Sequence, residues 1–229
     1  MKRPATFKQI SRLLMDSWIS SPDGLVDPKG IHGPFHGMLR ANMVLLVVDT
    51  RSEKPEEFHL DFIKGYDLPT GFASLHLLQR PSSFSDFPDQ HYLQGIVVPA
   101  YVDAAKRQHP AMRCIVTRIL DMHVAYDRII LPQKNSAGRS SWCIGLLDIR
   151  FVLPMGPRTD GLDDAALAIL QLLAEGASTR EIADVMSLSA RTIEHRIERL
   201  KSAFGAKNIA HLVGLSISAG ISDIGKRDD

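Results

Sequence analysis

The pattern of apolar positions changes character along the chain: short apolar runs suited to strands dominate as far as residue 152, and helical periodicity takes over after residue 162. At the start, Phe7, Ile10, Leu13, Leu14 and Trp18 recur at helical spacing, which predicts an amphipathic helix from Thr6 to Ile19. Such a helix either packs against its own domain or pairs with a second copy. MVLLVVD (43–49) and FHLDFIKG (58–65) carry the β-branched and aromatic residues that favour strands. A helix is predicted at VVPAYVDAAKRQ (97–108), followed by strands at RCIVTRILD (113–121), VAYDRIILP (124–132) and SWCIGLLDIRFV (141–152). The connections are expected at Met122-His123 and at NSAGRS. This order suits a small antiparallel sheet with helices on one face. LPMGPRTDG (153–161), with two prolines and two glycines, then breaks the pattern, and a domain boundary is expected near Pro157.

The segment LAEGASTREIADVMSLSARTIEHRIERLKSAFGA (173–206) reads as two helices joined by a tight turn. Ser178 can cap the first, with Glu181 three residues on reaching back to complete a capping box, and Ile182, Ala183, Val185 and Met186 form its expected apolar face. Ser189 is the second N-cap candidate. Ile193, Ile197, Leu200 and Phe204 then fall within a stripe of about 60° at helical spacing, so that stripe must meet a core. Opposite it lie Arg191, His195, Glu198, Arg199 and Ser202, with Glu194 and Arg196 on the flanks. Side chains of these kinds read base edges and phosphates when a helix lies in the major groove.

These residues resemble the LuxR-type helix-turn-helix of bacterial transcription regulators from Leu162 to about Ile221. The resemblance rests on LDDAALAILQLLAEG, on Ser178 with Glu181, Ile182 and Ala183, on Ser189 with Thr192 and Ile193, and on the closing Phe204-Gly205. It implies that Glu194, His195 and Glu198 approach base edges and that the last helix, roughly Asn208 to Ala219, forms a dimer contact. With the outward face of the helix added, the expected base-contacting set is Arg191, Glu194, His195, Glu198 and Arg199. The phosphate-contacting set is Ser178, Arg180, Thr192, Arg196, Lys201 and Lys207, and the dimerisation set Ile209, Leu212, Val213, Ser216 and Ile217. The chain departs from the family pattern at Ala165-Ala166, where Arg-Glu is usual, at Glu194, where Lys is common, and at Arg196, where His is common.

The strand-rich half is similar to the PAS sensor fold, from about Phe35 to Leu153. More narrowly it resembles a PAS variant common in alphaproteobacteria, through Tyr126, Arg128, Leu131 and Pro132. That resemblance implies a pocket between sheet and helices, or a surface that relays a signal, without naming the pocket residues or the ligand. The expected fold is therefore α+β, a PAS-like antiparallel sheet with helices joined to an all-α four-helix helix-turn-helix domain. The expected divisions are 1–34 as an N-terminal helix and lead-in, 35–153 as the sensor, 154–161 as a linker, 162–222 as the DNA-binding domain and 223–229 as a polar tail. A tether this short would couple the two domains.

Composition refines this picture. In the 229 residues, 45% hydrophobic and 23% charged content is that of a globular protein. No apolar run reaches the length of a membrane span and the N-terminus lacks a signal-peptide core, so a cytoplasmic protein is expected. From Leu162 to Ser222 six basic residues face seven acidic ones, net −1, yet from Arg191 to Lys207 five face two, net +3. Positive charge thus gathers where phosphates would lie, and its modest sum calls for a dimer on a two-fold symmetric duplex site.

Cys114 and Cys143 sit in apolar stretches rather than a metal spacing and are expected to be reduced, buried thiols. His32 and His36 flank Gly33-Pro34, which disfavours a metal site, and His76 and His91 are the only loosely placed histidines for haem. Asp49 ends a strand much as the phospho-acceptor of receiver domains does, but the acidic pair and the Lys-Pro of a receiver are missing. No catalytic triad or carboxylate pair stands out, so neither an enzyme nor a resident cofactor is expected. A small molecule, a partner protein or a redox signal remains as the effector. An acyl-homoserine-lactone receptor is the alternative, but FIKGYDLPT lacks the Trp and the Asp-Pro of that domain. The other alternative is a ligand-free interaction module.

Overall fold

The computed structural model describes residues 5–67, 76–156 and 161–224. By contacts the chain divides into two compact units, Met1–Leu120 with Val124–Val152, and Asp121–His123 with Leu153–Asp229. The expected cut at Pro157 falls outside the described residues, as do half of the linker and the end of the polar tail.

In the first unit, α1 (Phe7–Ser20) begins at Thr6, whose hydroxyl and backbone N–H exchange hydrogen bonds with Gln9 in a capping box. A short helical turn, Lys29–His32, and a 3-10 turn, Gly33–Met38, lead to β1 (Met43–Asp49) and β2 (His59–Lys64). A continuous helical run from Gln90 ends in α2 (Val98–Arg107), and β3 (Ala111–Ile119), β4 (Met122–Pro132) and β5 (Trp142–Pro154) follow. The five strands lie in the order β2-β1-β5-β4-β3, with β1 antiparallel to both neighbours. Val44 faces Leu147 and Leu46 faces Gly145 across the β1–β5 pair.

Both faces of this sheet are covered, which explains the nearly unbroken apolar run of β1. One face packs Met43, Leu45, Ile129, Leu131, Ile144 and Leu146 against Ile10 and Leu14 of α1. The N-terminal helix is therefore a packing helix of its own sheet. Trp18 anchors it by donating its indole N–H to the Pro132 carbonyl, with Lys134 over its ring. The other face packs Val44, Leu46, Val48, Ile130 and Cys143 against Leu93, Tyr101, Ala104 and Ala105 of the helical run.

The structure corrects two sequence expectations in this unit. The β3–β4 turn is at Leu120-Asp121, two residues earlier than expected, with Leu120 at a φ of 53° and its N–H held by Asp89 Oδ2 at 2.6 Å. Cys114 is exposed, because β3 is the edge strand, while Cys143 is buried as expected. The His32–His36 stretch forms no regular α-helix: a four-residue turn ends at His32 and a 3-10 turn follows, with Pro34 in its first turn, where no N–H is needed. The two rings stack at 5.5 Å, and no metal-holding cluster is found among the described residues.

The second unit contains α3 (Asp164–Ala174), α4 (Thr179–Met186), α5 (Ala190–Phe204) and α6 (Ile209–Ile224). Its core joins Ile169, Leu173, Ile182, Ile193, Ile197 and Leu212, drawing on all four helices. No described helix is long and apolar enough to cross a membrane.

Candidate nucleic-acid interface and buried cavity

The pair α4–α5 is set by local chemistry. Ser178 Oγ accepts from the Glu181 N–H, and Glu181 Oε2 accepts from the Ser178 N–H at 2.7 Å, satisfying two amides that the first turn leaves free. These bonds hold the Glu181 carboxyl below its usual range. Ser187 closes α4 in the left-handed region at a φ of 54°, and Leu188 N–H bonds back to the Ala183 carbonyl. Ser189 then caps α5 by accepting from the Thr192 N–H at 3.1 Å. Gly205, also left-handed, ends α5.

On α5, Ile193, Ile197, Leu200 and Phe204 are buried and Arg191, Glu194, His195, Glu198 and Arg199 are all exposed. The whole expected base-contacting set is thus brought onto the outer surface of one helix. Arg191 and Arg199 make no ion pair with a described residue. The expected phosphate set divides. Ser178, Arg180 and Lys207 are exposed, while Thr192, Arg196 and Lys201 are half-buried. Arg196 and Lys201 each lie about 70° from the centre of the buried stripe, so their stems rest on neighbouring residues. Arg196 pairs with Asp163 at 3.4 Å, and Lys201 with Glu198 at 2.9 Å.

Two apolar expectations are corrected. Val185, expected on the inner face of α4, is 68% exposed, while Ile182 and Ala183 carry that face inward. Leu212, expected at a dimer surface, is fully buried in the core of its own unit. The rest of that set stays on or near the surface: Ile209 and Ile217 are exposed, and Val213 and Ser216 are half-buried. Segment 154–156 lies against another part of α6, where Ser218 Oγ donates to the Pro154 carbonyl at 2.7 Å. A Cβ on Gly156 would collide with the Leu215 carbonyl.

The first unit holds a cavity of about 120 Å³ between the sheet and the helical run. Leu46, Phe62, Phe84, Phe87, Leu93 and Val124 give it an apolar lining, interrupted by Tyr66, Gln79, Tyr92, Tyr101, Tyr126 and Arg128. The Tyr92 and Tyr126 hydroxyls hydrogen-bond to each other at 2.6 Å. Tyr101 crosses to β5, where its hydroxyl occupies the space a Cβ on Gly145 would need. Burial pushes all three phenols up, and the nearby Arg128 charge works against that shift. Burial likewise pushes the Cys143 thiol up to about 12. Neither His76 nor His91 lines the cavity, and both are exposed.

Four helices around one core, with a short capped pair whose second helix displays a row of polar side chains, make the second unit a helix-turn-helix DNA-binding domain. Residues 166–216 match the family model of bacterial regulatory proteins, luxR family, and the domain is of that type. No curated protein matches the chain. Among solved structures, similarity extends to a VqmA–ligand–DNA complex from Vibrio cholerae (15% identity, TM-score 0.30, 82% of this chain and 86% of that one). It extends also to a phage VqmA–DPO complex (18%, 0.35, 85% and 91%) and to a point variant of RsLOV (18%, 0.33, 73% and 89%).

Proposed function

We propose that the chain is a transcription regulator that binds duplex DNA through α5 as a homodimer, under the control of a small molecule held in the sheet unit. The observation that carries the DNA reading is the outer face of α5, where Arg191, His195 and Arg199 stand exposed on a helix capped by Ser189 and preceded by the Ser178-capped α4 inside a luxR-family domain. Exposed arginines without carboxylate partners suit guanine edges and phosphates. Net charge over the domain is too small for tight binding by one copy, which favours two α5 helices one DNA turn, about 34 Å, apart. Ile209, Val213, Ser216 and Ile217 follow helical spacing on α6 and form the proposed contact between copies.

The cavity favours a ligand-sensing unit over a ligand-free interaction module. Its size suits a single ring better than a long acyl chain, against an acyl-homoserine lactone.

Footprinting of the purified chain on genomic DNA should return a two-fold symmetric site. Arg191→Ala and Arg199→Ala should each weaken binding to it by about tenfold or more at fixed salt, with thermal unfolding unchanged. Undiminished affinity in both variants would sink the assignment of this face.

A further inference from the structure

Arg128 is an unusual residue to find inside a sheet unit. It is 6% exposed, on a central strand, and lines the cavity. It makes no hydrogen bond or ion pair with a described residue, and no described Asp or Glu lines the cavity. A guanidinium stays protonated at any ordinary pH, and a buried charge without a partner is strongly unfavourable. The neighbouring phenols of Tyr92, Tyr101 and Tyr126 cannot supply the missing charge, because burial keeps them protonated.

Apart from these phenols, Tyr66 and the uncharged Gln79, the described lining is apolar, so one positive fork projects among mostly aromatic and aliphatic walls. Guanidinium geometry matches a carboxylate through two parallel N–H bonds. The free volume of about 120 Å³ is close to the roughly 150 Å³ of an engineered apolar cavity that takes benzene.

We propose that this cavity recognises a compact organic acid, about one ring in size, whose carboxylate is held by Arg128 while its apolar body fills the space among Leu46, Phe62, Phe84 and Val124. This rests on the reading of the sheet unit as a sensor and gives it a ligand class. The occupant brings the countercharge the fold lacks, so regulation by an acid follows from the same residue that recognises it: binding stabilises the sheet unit, and loss of the acid leaves a charge buried.

The test is calorimetric titration of the full chain with benzoate, hexanoate, benzamide and toluene, with melting temperature followed in parallel. Benzoate or hexanoate should bind and raise the melting temperature, and benzoate should bind about tenfold or more tighter than its neutral isostere benzamide. Arg128→Met keeps the length of the side chain and removes the charge. It should fold, melt at or above the wild-type temperature without ligand, and bind benzoate no better than benzamide. Arg128→Lys, with charge but no fork, should fall between the two.

Equal affinity for benzoate and benzamide in the wild type overturns the proposal, as does absence of binding by both acids at millimolar concentration. Benzoate preference that survives in Arg128→Met does so too. Operator binding measured on the same preparations separates this from the regulator reading: a chain that binds DNA but neither acid loses only the ligand class, and one that binds acid but no duplex loses only the DNA function.

Discussion

Arg128 in the sheet unit and Arg191 and Arg199 in the helical unit are the same side chain in opposite surroundings. The first is enclosed among phenols and aliphatic groups, and its charge faces a cavity without a described carboxylate. The other two stand exposed to water on α5, where a phosphate or guanine edge need only replace water. A buried charge selects what can enter beside it, whereas an exposed one adds attraction to whatever passes and relies on geometry for choice. On the proposed reading the sheet unit would discriminate among small ligands, and the helical unit would hold several moderate contacts in register along a groove.

The same contrast between enclosed and exposed positions separates two residues of α6, and breaking it has the largest expected effect. Leu212 lies in the core of the helical unit and Ile217 on its surface, although both belonged to one expected contact set. Leu212→Asp should destabilise that unit by more than about 3 kcal/mol, through the lost leucine and the buried carboxylate together. Ile217→Asp should leave unfolding within about 0.5 kcal/mol of the parent and weaken self-association and operator binding. Urea unfolding followed by circular dichroism, with sedimentation for the oligomer, checks both. Similar unfolding costs for the two variants would show that α6 is oriented differently.

Sequence periodicity could not separate these two residues, because α6 is apolar on most sides and carries few charges to mark its outer face. On α5 the opposite holds. Four buried positions sit in one narrow stripe, charged and other polar groups fill most of the rest, and the exposed set could be read residue by residue. Caps were equally legible at Ser178 and Ser189, since a capping box is a local pattern. In the sheet unit the strands were found to within a few residues, but the cavity was not. Residue 128 was readable as part of a Tyr-x-Arg motif only. Burial of both sheet faces erases the alternation that would tell a cavity face from a packing face, and the order β2-β1-β5-β4-β3 depends on pairings far apart in sequence. Cys114 was misplaced for that reason: an apolar edge strand reads like a central one.

Alkaline pH should sharpen the difference between the units. Cys143 is held up to about 12 from an ordinary value of 9.0, and Tyr92, Tyr101 and Tyr126 are raised above 10.0, in each case chiefly by burial. The folded state therefore keeps protons that the unfolded chain gives up. Stability is whole below about pH 9 and falls above it, by roughly 1 kcal/mol per pH unit for Cys143 and more steeply beyond about pH 10 as the phenols join. Residues 161–224 contain no Tyr or Cys, so the helical unit has no such dependence. Trp18 and Trp142, the two tryptophans, both report on the sheet unit. Their fluorescence transition in urea should move to lower denaturant between pH 8 and pH 10.5, and Cys143→Ala should remove the portion that begins near pH 9. Parallel shifts of the tryptophan signal and the residual helical signal would contradict the burial assigned to these groups.

The smallest expected effect comes from two left-handed residues, one in each unit. Gln108 follows α2 at a φ of 55° and Ser187 follows α4 at 54°, a conformation in which glycine escapes the strain of a Cβ. Their side chains differ in use. Gln108 Nε2 donates to the Asn135 carbonyl at 2.8 Å, and its Oε1 accepts from the Asn135 N–H at 2.8 Å, fastening the β4–β5 loop to the end of α2. The Ser187 hydroxyl is exposed and enters no such bonds. Glycine at 187 should therefore relieve strain and lose nothing, raising the stability of the helical unit by up to about 1 kcal/mol after the entropy of the more flexible unfolded chain is subtracted. At 108 the same relief is set against three side-chain hydrogen bonds worth about 1 kcal/mol each, the third from Nε2 to the Gly138 carbonyl, so Gln108→Gly should destabilise the sheet unit. Urea midpoints of the two variants should move in opposite directions. A gain at both positions would mean that the Gln108 bonds contribute little, and a loss at both that strain at Ser187 is negligible.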